Sequence, residues 1–329
     1  MSKKVQNDLI EIISSKVSQD CQIQRPAIKE LVNLMFSQKK YFKNYEYLSN
    51  GDCAIILKAY NSQKSRKVAL KFLGSSNQKD KNGIESLKKE YEMLQMFSQS
   101  EFLVNFYDCF YLMEEKEDED TDGNDIIVQT GVKSFFVMEM ELCENNLKQL
   151  FDFLRKQQVP PPKEMKEIIA IQMIDGLNNL HVKNIMHRDI KPSNFLVCTS
   201  KEYGFSIKLC DLGFASAVSK SKSFLSKKGT AAYFAPEVEE GKSRIQSDLF
   251  SLGLALLELD NLKTLNENWI DTKTKNYLFN GEEIPKEKYQ IDKNSNIYKI
   301  AKICLQPWYL DRITAGELLS SLIQMHGQP

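Results

Sequence analysis

The stretch that most constrains this chain is His187-Arg188-Asp189-Ile190-Lys191-Pro192-Ser193-Asn194, followed 17 residues after Asn194 by Asp211-Leu212-Gly213. It sets two carboxylates, an amide and a lysine on loops beside short strand-like runs, Phe195 to Val197 and Ser206 to Leu209. Hard oxygen donors on two nearby loop ends suit a partly hydrated magnesium ion carrying a nucleotide. Asp189 is then left to accept a hydroxyl proton. Taken singly, each piece has a plain alternative, a turn with a surface ion pair or an ordinary turn tripeptide. Their weight comes from occurring together.

The rest of the chain supplies a setting for them. Residues 1 to about 40 read as two amphipathic helices divided by Pro26, with Val5, Leu9, Ile12 and Ile13 on one stripe and Ile28, Leu31, Val32, Met35 and Phe36 on the other. Ala54 to Ala59 and Val68 to Leu73 are strand-like around the turn-rich Asn61 to Lys67, which predicts a hairpin. A helix is expected over Ile84 to Phe97. Apolar runs at Phe102 to Met113 and Ser134 to Met140 bracket an acidic insert, Glu114 to Asp125, with eight acids and one Lys. Beyond Leu147 the pattern turns helical, notably at Ser247 to Leu259 and Ile313 to Met325.

This ordered set resembles the eukaryotic protein kinase domain of the Ser/Thr-directed type over about residues 45 to 325. The resemblance implies an α+β, two-lobed fold with an ATP cleft between the lobes: a small β-rich N-lobe of about 45–140 with one key helix, and a mainly helical C-lobe of about 141–325. Residues 1–44 become a helical extension and 114–125 an insert. The cofactors implied are ATP and Mg2+. Asp189 becomes the base that orients the substrate hydroxyl, Asn194 and Asp211 the magnesium ligands, and Lys191 a contact to the transferred phosphoryl group. Val68-Ala69-Leu70-Lys71 matches the strand whose lysine holds the α- and β-phosphates, with Glu90 as its ion-pair partner ahead of Glu85 and Glu92. Thr230 of Gly229-Thr230 would bridge Asp189 and Lys191. Glu237 of Ala235-Pro236-Glu237 would pair with Arg312, Asp248 would tether the catalytic-loop backbone, and His187 would pack with Leu212 and Leu94. Met138 becomes the gatekeeper, Glu139 and Glu141 the adenine-reading hinge, and Ile56, Ala69 and Leu196 the walls around the ring.

The phosphate-covering loop departs from the family pattern. It reads Ser49-Asn50-Gly51-Asp52-Cys53-Ala54, keeping only the middle glycine of three. Ser49 and Ala54 are small enough to stand near phosphate, whereas Asp52 adds repulsion, so weakened ATP affinity is expected. Lys191 and Ser193 resemble the Ser/Thr-directed loop, which makes protein Ser/Thr hydroxyls the expected substrates. Ser219, Ser221, Ser223 and Ser226 alternate with Lys220, Lys222, Lys227 and Lys228, and phosphates there, from an upstream kinase or autophosphorylation, would pair with Arg188.

Composition excludes other classes. The 44 Lys and Arg balance the 44 Asp and Glu, so no global field recruits nucleic acid or an anionic membrane. The most apolar stretch, Leu249 to Leu259, is too short to span a bilayer. Seven cysteines without a C-x-x-C pair argue against a disulfide framework and a zinc site, and the start Met-Ser-Lys-Lys-Val lacks a signal-peptide core. The expected compartment is the cytoplasm, the nucleus being compatible. Two other functions compete with an active kinase: a pseudokinase scaffold, motivated by the degenerate phosphate loop, and a small-molecule kinase, disfavoured by the complete Gly229 to Glu237 segment.

Overall fold

A computed structural model of the chain describes residues 26–50, 54–75, 91–97, 100–114, 133–143, 145–158, 160–200, 204–218, 228–262, 272–282 and 291–327. The chain divides into two units, one drawn from Lys16–Gln99 and Val104–Leu142, the other including Ser100–Leu103 and Cys143–Pro329.

Helix α1 (Pro26–Gln38) opens the first unit, with Pro26 at its first position, where the missing N–H costs nothing. The strands are β1 (Phe42–Asn50), β2 (Ala54–Asn61), β3 (Arg66–Ser75), β4 (Phe106–Glu114) and β5 (Lys133–Glu141). They form one antiparallel sheet in the order β1-β2-β3-β5-β4. The expected hairpin is β2–β3. Its turn is set by Asn61, whose Oδ1 accepts the N–H groups of Gln63 and Lys64, both at 3.1 Å.

Alternation along the strands sends Leu57, Ala59, Val68, Leu70 and Phe72 to one face with Leu112 and Val137. Ile28, Leu31 and Met35 of α1 are buried in that same cluster beside Phe42, while Phe36 from the predicted stripe is 63% exposed. The second part of the expected extension therefore contributes to the core of the sheet unit. Ala69, Lys71 and Met138 alternate onto the opposite face.

The second unit is mainly helical. A two-residue strand β6 (Asn145–Asn146) runs into α2 (Leu147–Gln157), where Asn146 and Gln149 cap each other reciprocally. Helix α3 (Lys163–His181) leads to β7 (Ile185–Met186), the catalytic-loop segment, β8 (Phe195–Cys198), β9 (Ser206–Leu209) and β10 (Ser216–Ala217). Strands β6, β8 and β9 make one small sheet and β7 and β10 another. The remaining helices are α4 (Pro236–Glu239), α5 (Ile245–Asp260), α6 (Thr272–Phe279), α7 (Asn296–Cys304) and α8 (Ala315–His326). Helix α5 is buried almost all round, which explains its mostly apolar character without a membrane. A Cβ on Gly253 would lie 2.7 Å from the Cβ of Cys304, so α5 approaches the end of α7 closely there. No helix among the described residues is long and apolar enough to cross a membrane.

One boundary is refined and one expectation corrected here. The apolar run from Phe102 is not one strand: residues 100–103 belong to the helical unit, with Ser100 bonded to Asn179 and Leu209 N–H to the Phe102 carbonyl at 2.9 Å, and β4 starts at Phe106. The cysteine count argued against bridges, yet Cys143 and Cys198 form a disulfide with Cα atoms 4.7 Å apart. The pairing of β6 with β8 brings these cysteines together, and sequence spacing carries no sign of it.

Candidate active site

The catalytic-loop segment is held from below by Asp248, in the first turn of α5. Asp248 is almost fully buried and accepts the backbone N–H of His187 at 2.7 Å and of Arg188 at 2.8 Å, with His181 Nε2 at 3.1 Å. Arg188 can therefore hold φ +73°, a left-handed value unusual for a non-glycine residue. Burial pulls its guanidinium below the ordinary value, opposed by Asp248. His187 is fully buried. Its Nδ1 faces the Asp189 N–H at 3.2 Å and its Nε2 the Cys210 carbonyl at 2.9 Å. A fixed donor on one side and a fixed acceptor on the other select the neutral Nε2–H tautomer. His187 thus acts as a strut between the loop and Cys210.

Asp189 is the centre of the arrangement. Its Oδ1 accepts both the N–H and the hydroxyl of Thr230 at 2.8 Å. Its Oδ2 accepts Asn194 Nδ2 at 2.9 Å and Lys191 Nζ at 2.8 Å. Lys191 also donates to Thr230 Oγ1 at 2.7 Å, so the threonine hydroxyl lies between carboxylate and ammonium. Gly229, at φ +106°, permits this docking, because a Cβ there would collide with the Arg188 carbonyl oxygen.

The Asn194 side chain donates a second time, to the Asp189 backbone carbonyl at 2.7 Å, and the Asn194 backbone carbonyl accepts the Cys210 N–H at 2.9 Å. Asp211 is thus placed one residue beyond a direct bond to Asn194. It is exposed, with φ +64° and ψ +73°. Leu196 lies in β8, half-buried, paired with Asn146 and Lys208.

Below the loop, Glu237 and Arg312 form a buried two-point ion pair at 2.7 and 3.1 Å. Arg312 sends its other N–H groups to the carbonyls of Gln306, Gln246 and Pro307, so all five donors are used. Tyr233 and Arg155 converge on buried Glu258, a cluster that sequence reasoning missed because its members lie 25 and 103 residues from Glu258.

In the sheet unit, Ser49, Ile56, Lys71 and Met138 fall in one row across β1, β2, β3 and β5. Lys71 is only 8% exposed. Ala54 begins β2 and Ala69 pairs with Lys58 and Met140. Glu139 departs from expectation. It lies inside β5 with strands on both sides, buried, its carboxylate bonded to Asn61 and to Arg66 at 3.2 Å. Glu141 ends the strand, and its N–H is taken by the Asn105 carbonyl at 2.8 Å. The segment that leaves the sheet therefore starts later than the expected hinge, at Leu142 and Cys143. Gly51, Glu85, Glu90, Ser219, Ser221, Ser223 and Ser226 lie outside the described residues.

The protein kinase domain profile matches residues 42–322. The chain belongs to the protein kinase family. Within it, the chain is similar to the membrane-associated tyrosine- and threonine-specific cdc2-inhibitory kinase of Drosophila melanogaster, 32% identical over 56% of this chain and 32% of that one. It is also similar to the serine/threonine-protein kinase TIO of Arabidopsis thaliana, 32% identical over 65% of this chain and 14% of the relative. A third relative is serine/threonine-protein kinase 36 of Pongo abelii, 31% identical over the same shares. The kinase domain thus spans about a third or less of the length of these relatives. Family membership implies ATP and a divalent metal ion as general requirements.

Proposed function

We propose that the chain transfers the γ-phosphoryl group of ATP, with magnesium, to Ser and Thr hydroxyls of proteins. The observation that carries this reading is the Asp189 cluster, in which Lys191, Asn194 and Thr230 occupy both carboxylate oxygens. In this reading Asp189 orients the incoming hydroxyl and takes its proton. Both oxygens already have two donors, so a substrate hydroxyl must displace one of them. Lys191 is the donor best suited to leave Oδ2: its ammonium has three N–H groups, and a phosphoryl oxygen replaces the carboxylate with another charged acceptor.

The oxygen set fits a magnesium ion. Asn194 spends its side-chain N–H groups on Asp189, which leaves its side-chain oxygen Oδ1 for a cation, and the exposed Asp211 supplies a carboxylate. Magnesium, when bound, neutralises charge on the phosphate oxygens. Lys71, buried in the row with Ser49 and Ile56, would hold the α- and β-phosphates with Glu90 as partner, beside Gly51 and Ala54 of the covering loop. Ala69, Ile56 and Leu196 would flank the adenine, and Glu141 to Cys143 would present backbone to its edge. Phosphorylation of the Ser219 to Ser226 run, by this chain or another kinase, would regulate the segment that carries Thr230.

The test is transfer of radiolabelled phosphate from Mg-ATP to a generic protein, comparing wild type with Asp189→Asn and followed by phosphoamino-acid analysis. We expect label on Ser and Thr and a fall of about 10²–10⁴-fold in the variant. Equal signals would sink the enzyme reading, and label chiefly on Tyr would sink the Ser/Thr assignment.

A further inference from the structure

We propose that Cys143 and Cys198 form a redox-modification site, switched between a thiol pair and a disulfide by a peroxide. Neither thiol takes part in phosphoryl transfer as proposed above, where Cys143 offers only its backbone, so the inference stands independently of that reading.

The backbone around both sulfurs is already paired. Asn145 and Asn146 of β6 lie against Val197 and Leu196 of β8, in antiparallel register. That pairing holds the two Cα atoms 4.7 Å apart, inside the span that a disulfide requires. The bond can therefore form and break without moving either strand. Cys109, Cys210 and Cys304, the other described cysteines, carry no disulfide.

Position gives the bond its reach. It closes a loop of sequence separation 55 that contains α2, α3, β7 and the whole segment from His187 to Asn194. Oxidation ties both ends of that loop together at the strand bearing Leu196. Reduction leaves the β6–β8 contact to two residue pairs of backbone.

Burial decides what can reach the site. Cys143 is 8% and Cys198 5% exposed, so a small oxidant such as hydrogen peroxide reaches the sulfurs faster than a larger reagent, which acts more slowly but still on the folded chain. The Cys143 thiolate attacks one peroxide oxygen, giving a sulfenic acid and hydroxide, which leaves as water with the thiol proton. The Cys198 thiolate then attacks the Cys143 sulfur and expels the sulfenic oxygen as a second water. Two thiols are oxidised to one disulfide and one peroxide is reduced to two waters. Bridges of this kind in a reducing compartment are commonly transient and redox-sensing.

The experiment uses the full chain, reduced and then exposed to graded hydrogen peroxide. Remaining thiols are blocked in denaturant and the peptides mapped by mass spectrometry. We expect a linked Cys143–Cys198 peptide lighter by two hydrogens than the reduced pair, and a thermal midpoint several degrees higher. A dithiol reductant acting on the folded protein should reverse both. Cys143→Ser and Cys198→Ser should each abolish the linked peptide and the midpoint difference, whereas Cys210→Ser should keep them. Should either variant misfold, the wild-type peptide map still decides. The proposal is overturned if both cysteines remain separately alkylated at every peroxide dose, if the link joins a different pair, or if the bond resists reduction in the folded chain.

Discussion

Asp189 shows how one carboxylate can be positioned by groups from separate parts of the chain. Thr230, 41 residues away, contributes both an N–H and a hydroxyl, and the hydroxyl is also the acceptor for Lys191. Removing it breaks two contacts to charged groups, whose individual worth is about 1.5–3 kcal/mol. If one such contact is realised in the transition state, Thr230→Ala should lower phosphoryl transfer about ten- to a hundredfold. The variant keeps the N–H that reaches Asp189 and should stay folded, with a thermal midpoint lower by a few degrees for the lost contacts. Thr230→Ser should recover most of the rate, because the hydroxyl returns without the methyl group. Steady-state kinetics on one peptide substrate checks the series, and an unchanged rate in Thr230→Ala would remove this hydroxyl from the mechanism.

At the level of elements, long-range contacts decide what packs where. Helix α1 lies on the sheet face opposite Lys71 through Ile28, Leu31 and Met35. Leu31→Ala should cost about 2–5 kcal/mol in chemical denaturation of the sheet unit, whereas Phe36→Ala, on the exposed side, should stay within about 0.5 kcal/mol. Equal effects would mean that α1 is not anchored as described. Glu258 joins α5 to Arg155 of α2 and to Tyr233 just ahead of α4. Burial raises its carboxyl above the usual value, outweighing Arg155 and Tyr233. A carboxyl raised on folding stabilises fully below its unfolded value, and that contribution fades as pH rises through the folded one. Relative to wild type, Glu258→Gln should gain stability as pH rises above about 4, where the unfolded carboxyl ionises, apart from a constant offset for the altered Arg155 contact. Parallel stability curves would contradict this. These elements also mark what the sequence could tell. Strands β2 and β3, helix α5 and the Asp189, Asn194 and Asp211 trio were legible because alternation and motif spacing are local. The burial of Glu139 against Asn61 and Arg66, the Glu258 cluster, the Cys143–Cys198 bond and the excursion of residues 100–103 were not. Each depends on which strands and helices become neighbours, and periodicity carries no record of that.

For the whole molecule, a formal charge of zero conceals opposite local charges. The Glu114 to Asp125 insert holds eight acids against one Lys, so everything else carries an excess of seven positive charges. The structure fixes where this acidic stretch is attached. Glu114 ends β4 and Lys133 begins β5, and the two are register partners in the ladder. A two-residue Asn-Gly turn can close such a pair, because its left-handed backbone matches the strand twist. Replacing residues 115–132 by Asn-Gly removes seven acids and one Lys, leaving a formal charge of +6. Since β4 and β5 already pair up to this point, the variant should fold with a thermal midpoint close to that of wild type. Its surface field should change far more than its stability. At neutral pH and low salt, wild type should pass through a cation exchanger while the variant binds and elutes only as salt screens the charge. Co-elution would show that the insert does not set the long-range field. A large fall in the midpoint would instead give the insert a part in holding the sheet together.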